Sequence, residues 1–181
     1  LAQLLLSRGA NINAKSWRGT AFYMACLKSQ TSFVEFLLEL KMNFSISVES
    51  TPLIAACFAG NLDIVQILLG LGANIHETDK HGNYPIHAAA QSENLQLLQH
   101  LVDRGANIFA RNCDGNTPIM SACKKSNTSI VEYLISIGAD VFKSTPVSSS
   151  STTFYSMLVL TSSPFLSEGK SSTRFRSFQR Y

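Results

Sequence analysis

The sequence predicts an all-α solenoid of stacked helix-turn-helix units, and three observations carry that expectation. The first is recurrence: Thr20, Thr51, Tyr84 and Thr117 are equivalent openings at a spacing of roughly 33 residues, a period that marks a repeat architecture. The second is punctuation. Lys41, Gly72, Gly105 and Gly138 stand at one fixed distance after the four openings, and Gly there supplies the left-handed residue that commonly stops a helix. The third is the recurring apolar pattern Val34/Leu37/Leu38, Val65/Leu68/Leu69, Leu98/Leu101/Val102 and Val131/Leu134/Ile135, whose spacing lines one side of a helix. One short helical pair cannot bury that much apolar surface alone, so the copies must stack.

Taken in order, Leu1 to Arg8 reads as the second half of a helix whose partner is absent, closed by Gly9-Ala10-Asn11-Ile12-Asn13. The first residue is Leu1 rather than Met, and the expectation is a fragment, or an incomplete gene model, of a longer protein. Residues 1–16 are therefore the end of an incomplete unit, and full units follow at 17–46, 48–77, 81–110 and 114–143. The second of these sets the pattern. Thr51 can cap the first turn and Pro52 fits the position whose N–H would be unpaired anyway; Gly60-Asn61 is expected to end that helix, and Ile64, Val65, Ile67, Leu68 and Leu69 build the next. The first full unit departs most, with Lys41-Met42-Asn43 where Gly-Ala-Asn is expected. Without Gly, a left-handed turn costs roughly 1 kcal/mol more.

The openings Thr20-Ala21-Phe22-Tyr23, Thr51-Pro52-Leu53-Ile54, Tyr84-Pro85-Ile86-His87 and Thr117-Pro118-Ile119-Met120 closely resemble the ankyrin repeat, which shares this period and has a Thr-Pro-Leu-His opening. The resemblance covers Leu1 to about Lys143. It implies β-hairpin loops between helical pairs, shortened or irregular on the N-terminal side, where the loops before Thr20 and Thr51 are shorter than the one before Tyr84. His87 resembles the family's His, which hydrogen-bonds the Thr three residues earlier and the backbone between repeats. Here Tyr84 replaces that Thr, and the other openings carry Tyr23, Ile54 and Met120 in place of the His. The stack is expected to have lost part of its repeat-to-repeat hydrogen bonding.

From Ser144 the composition changes, and Ser and Thr make up nearly half of the chain from there to Tyr181. A disordered tail (residues 144–181) that adds no interface to the stack is expected. The uncharged apolar run Phe154–Leu160 is its exception: a docking strand, a cap over the last repeat, or translated non-coding sequence. The tail also holds the formal net charge of +3, because up to Lys143 there are 11 Lys and Arg against 11 Asp and Glu. Neutral repeats lack the clustered basic footprint of nucleic-acid binding. No signal peptide is expected, since the first residues lack a basic region followed by a small-residue cleavage site, and no apolar run approaches the roughly 20 residues that span a bilayer. The expected setting is cytoplasmic, with the nucleus not excluded.

Several patterns imitate chemistry. His76, Glu77, Asp79 and His81 are four potential metal ligands close together in sequence, but on a polar loop without a fixed geometry. Gly169-Lys170-Ser171 matches the end of a phosphate-binding loop, with Pro164 where the required Gly should be. His87 has no nucleophile in a triad arrangement. Cys26, Cys57 and Cys123 share one repeat position and read as buried thiols, with Cys113 exposed in a loop. No catalytic residue, cofactor, metal site or small-molecule substrate is expected, and no enzyme.

What remains is recognition. In a nearest-neighbour stack the loops and inner helices are free of folding duties and form an extended concave surface, and the ankyrin resemblance implies the same use. By register that surface comprises Trp17, Arg18, Lys28, Phe58, Lys80, His81, Asn83, Gln91, Cys113, Asp114, Asn116, Lys124 and Lys125. Trp17 and Phe58 are the natural anchors, since exposed aromatics are enriched at interface centres; for Trp17 the competing reading is core packing. Lys80, His81 and Asn83 should lie beside Cys113, Asp114 and Asn116, with Gln91, Lys124 and Lys125 deeper. The partner is expected to be a protein or peptide. The alternative is a regulatory or targeting segment of a larger enzyme or ion channel truncated upstream of Leu1.

Overall fold

The computed structural model describes residues 7–17, 19–40 and 50–139. The expectations for the first six residues, for Arg18, for the loop 41–49 and for the tail with its run Phe154–Leu160 lie outside those residues. The described chain holds eight helices: α1 Ala21–Leu27, α2 Thr31–Glu39, α3 Pro52–Phe58, α4 Leu62–Gly70, α5 Pro85–Gln91, α6 Leu95–Asp103, α7 Pro118–Lys124 and α8 Thr128–Ser136. Each unit pairs a seven-residue helix with a nine-residue one. The short helices pack in series, α1 on α3, α3 on α5 and α5 on α7, and each long helix packs against its short partner.

The core consists of columns of equivalent side chains. Phe22, Leu53, Ile86 and Ile119 form one, and Leu37, Leu68, Leu101 and Leu134 another, none more than 2% exposed. Burying each such side chain contributes about 1.5–3 kcal/mol, so short helices that would be marginal alone become stable by stacking.

Helix starts follow the sequence, with one exception. Thr20 Oγ1 accepts from the Tyr23 amide at 3.2 Å and Thr51 Oγ1 from the Ile54 amide at 3.1 Å. Thr117, in the same register, makes no such cap, and its buried Oγ1 has no partner. The helix exits are also uneven. Gly60 takes a φ of +74°, and the equivalent Ser29 and Ser126 are held in the left-handed region at +54° and +56°, where a side chain costs about 1–2 kcal/mol.

Asn61 does more than the sequence reading gives it: its amide closes α3 on the Ala56 carbonyl at 3.2 Å, as the expected Gly60-Asn61 stop requires, and its side chain starts α4. Its Oδ1 caps the Ile64 amide at 3.0 Å while its Nδ2 reaches back to Thr31 Oγ1 at 3.2 Å. Asn94 repeats the device, capping Leu97 at 3.1 Å and donating to the Gly60 carbonyl at 3.0 Å. Asn127 Nδ2 donates to the Ser92 carbonyl. At Asn61 and Asn94 one side chain thus closes a helix end and ties it to the preceding unit, and Asn127 makes the tie without the cap. The expected hairpins are reduced to tight turns. Among the described residues the β pairing is an isolated bridge between Ser16 and Gly19.

Candidate partner-binding surface

The loops before α5 and α7 are built alike because an Asx residue opens each. Asp79 Oδ1 accepts from the His81 and Asn83 amides, both at 2.8 Å, and its Oδ2 accepts from Asn83 Nδ2 at 3.0 Å. Asn112 is its counterpart one repeat later, and its Oδ1 accepts from the Asp114 and Asn116 amides at 3.1 and 2.9 Å. A side chain that mimics a backbone turn fixes the loop locally. The two loops are then bound to each other: the Cys113 amide donates to the His81 carbonyl at 3.0 Å, and Asn112 Nδ2 donates to Asn83 Oδ1 at 2.8 Å. Gly82 is where they touch, for a Cβ there would meet Cys113 Sγ at 2.8 Å and Cys113 N at 2.9 Å.

His87 is the third tie, and at this boundary the bonding between repeats is kept although the Thr is replaced. The ring is fully buried. Nδ1 accepts from the Tyr84 amide at 3.2 Å, a backbone donor that survives the Thr-to-Tyr change, and Nε2 lies 3.0 Å from the Asn116 carbonyl. With Nδ1 accepting, the proton must sit on Nε2, so the ring is neutral and donates across the unit boundary. Burial lowers its pKa from the usual value, against the opposing pull of the Asn116 and Ala110 carbonyls and the Asp79 charge.

The structure therefore places His81 and Asn83 beside Cys113 and Asn116. Lys80, His81, Cys113 and Asp114 are exposed, whereas Asn83 and Asn116 are half-buried and spend part of their polarity on the turns. Phe58, Gln91 and Lys124 share one register on the short helices; Phe58 is 50% exposed and Lys124 exposed, while Gln91 is half-buried. Lys28 and Lys125 are exposed caps of α1 and α7. Trp17, at 81% exposed, is not core. It occupies the same register as His81 and Asp114, shortly before each opening.

A family model described as ankyrin repeats, in three copies, matches residues 1–79 and 69–145. The chain belongs to the ankyrin repeat family. Ankyrin repeats are in general protein-interaction modules. The human transient receptor potential cation channel subfamily A member 1 is 34% identical over 89 residues, a match that takes in 47% of this chain and 8% of the channel. Among the described residues of this ankyrin stack, no helix is long and apolar enough to cross a membrane, and no group of three or more His, Cys, Asp and Glu side chains is arranged to hold a metal ion.

The asparagines that tie neighbouring repeats, Asn94, Asn127 and Asn112, go unread in the sequence, and Asn61 is read there only as a helix stop. A signal is available: Asn61, Asn94 and Asn127 recur once per repeat at even spacing, each just before an apolar helix.

Proposed function

We propose that this ankyrin stack is a non-catalytic protein–protein interaction module, a scaffold or adaptor. It takes a protein surface or an extended peptide along its concave face, in the cytoplasm. The observation that carries this reading is the mutual locking of the two Asx loops, because a surface fixed before binding loses less entropy on association. The locked loops and adjoining helix ends present both charge signs, with Lys80, Lys124 and Lys125 against Asp114. Such a patch suits a protein better than a nucleic acid, which would need a field of one sign. Trp17 and Phe58 add apolar anchors at the other end of the same face. The similarity to a channel is compatible with a module carried inside a larger protein and does not favour that setting over a free-standing scaffold.

The test begins with capture of a partner by pull-down. Replacing Lys80, Asp114 and Lys124 together should abolish that binding with the helical circular dichroism unchanged. Equal changes on the long helices, at Gln66, Gln99 and Glu132, should do little. Damage from the second set instead would move the binding face to the convex side.

A further inference from the structure

The repeats balance 11 basic residues against 11 acidic ones, but the two signs are sorted by helix type. The long helices α2, α4, α6 and α8 hold Glu35, Glu39, Asp63, Asp103 and Glu132, and the sole Lys or Arg on them or their C-caps is Arg104. The short helices with their C-caps hold Lys28, Lys124 and Lys125 and no carboxylate. All of these side chains are exposed except the half-buried Glu132. In the described loops that precede the short helices, Lys15, Lys80 and Arg111 stand against Glu77, Asp79 and Asp114 and cancel. A neutral stack is thus a basic layer of short helices paired with an acidic layer of long ones.

Helix dipoles do not explain the sorting. They favour cations at a C-terminus and disfavour acids there, yet Glu39 and Asp103 are the last residues of α2 and α6. The sign follows the layer rather than the helix end. Within the basic layer Lys28 caps α1, Phe58 and Gln91 end α3 and α5, and Lys124 and Lys125 end and cap α7. The short helices pack in series, so these ends form a row that reads cation, aromatic, amide, cation pair. Packed helix axes lie about 8–10 Å apart, which puts α1 and α7 roughly 24–30 Å apart along the row. An extended chain rises about 3.3 Å per residue, so about eight residues cover it.

We propose that the concave face takes an extended acidic segment of a partner protein, about eight residues long. Its carboxylates lie over Lys28 at one end and over Lys124 and Lys125 at the other, with an apolar side chain between them on Phe58. The proposal rests on the concave-face reading and adds the chemistry of the partner. The turn behind Lys125 is tied to the preceding unit by Asn127 on the Ser92 carbonyl, so the cation pair is held in place before binding. The acidic layer repels such a segment, which confines it to one side of the stack. A nucleic acid fits less well, because the exposed Glu93 in the turn after α5 and Asp114 on its loop break the one-sign field that a phosphate backbone requires.

Fluorescence anisotropy of labelled probes titrated with the full chain tests this. The probes, all of that length, are a peptide of Asp and Glu with a central Leu, the same peptide with Lys at every acidic position, and a single-stranded oligonucleotide. The acidic peptide should bind, and more weakly as salt rises. K124Q/K125Q should weaken it by roughly two- to thirtyfold, the loss of two exposed ion pairs. Q66E/Q96E makes the same change in net charge on exposed positions of the long helices and should leave it unchanged at physiological salt, with circular dichroism confirming the fold of each variant. Preference for the basic peptide or the oligonucleotide, equal weakening in the two double variants, or no acidic binding up to about 1 mM overturns the acidic partner. F58A separates that failure from failure of the concave-face reading. A basic peptide that binds and is lost in F58A keeps the face and overturns the chemistry, whereas an acidic peptide lost in Q66E/Q96E alone moves binding to the long helices and overturns both.

Discussion

The first boundary of the stack, between the units of α1–α2 and α3–α4, shares its apolar columns with the last, between the units of α5–α6 and α7–α8. Among the described residues, which leave out the loop 41–49, the polar ties seen at the two are not the same. The first boundary shows Asn61 reaching Thr31. The last shows Asn127 on Ser92, His87 on Asn116, Asn112 on Asn83 and Cys113 on His81. The columns decide that units stack. The side-chain ties decide how firmly the loops of adjacent units keep step, and a recognition surface depends on the second.

The largest effect should come from the columns, equally at either end. Leu68→Ala and Leu101→Ala, each at a site no more than 1% exposed, should cost about 2–5 kcal/mol by urea denaturation. A marked inequality between them would show that the columns are not equivalent. His87→Ala should come next, because it strands the Tyr84 amide at about 1–3 kcal/mol before any rescue by water, while the Asn116 carbonyl loses one of two partners and keeps the Asn112 amide at 3.1 Å. Hydrogen exchange should localise the damage to residues 79–88 and 110–117; uniform loosening would mean that His87 is filler rather than a tie.

Gly82→Ala should be milder overall but confined to the loops. It puts a side chain at φ +72°, which by itself costs about 1–2 kcal/mol, and places its Cβ 2.9 Å from Cys113 N, so the Cys113 backbone must shift; chemical-shift changes at His81 and Cys113 would trace it. Acid should act on the same boundary. His87 has a folded pKa below its unfolded value, so as pH falls through about 6.5 the unfolded chain takes up the proton first. Its contribution is complete above that pH and is lost progressively below it, down to the folded pKa. A His87→Gln chain should lack this part of the acid limb; identical limbs in the two chains would remove His87 from the account.

The smallest pair of effects sets one residue type against itself. Thr51→Val removes a working cap and should cost about 1 kcal/mol. Thr117→Val removes an unpartnered hydroxyl and should be neutral or slightly stabilising, within about 0.5 kcal/mol. Equal losses would show that Thr117 caps in solution after all.

The helical pairs are legible in the sequence because period, Thr-Pro openings and apolar spacing all report the same register at Leu53, Leu68 and their equivalents. The ties are not. The sequence points to a side-chain partner for His87, and the Tyr84 backbone amide that takes its place exists whatever residue stands there. Asn61 beside Gly60 reads as a stop signal, because both residues favour turns, and only the three-dimensional path shows that it also starts the next helix. Nor can composition tell that Trp17 is exposed. That outcome depends on the width of one short turn, closed by paired Ser16 and Gly19 backbone bonds at 3.0 and 3.1 Å.

Cys26, Cys57 and Cys123 are buried free thiols at one repeat position in three different units. Burial pushes Cys26 up to about 12 and Cys123 up to about 11, and raises Cys57 further still, so in the folded chain the reactive thiolate is suppressed at all three. Each therefore becomes alkylatable only when its own unit opens. A brief pulse of iodoacetamide during unfolding, read by mass spectrometry, would timestamp each unit separately, a clock the sequence already carries without any engineered label.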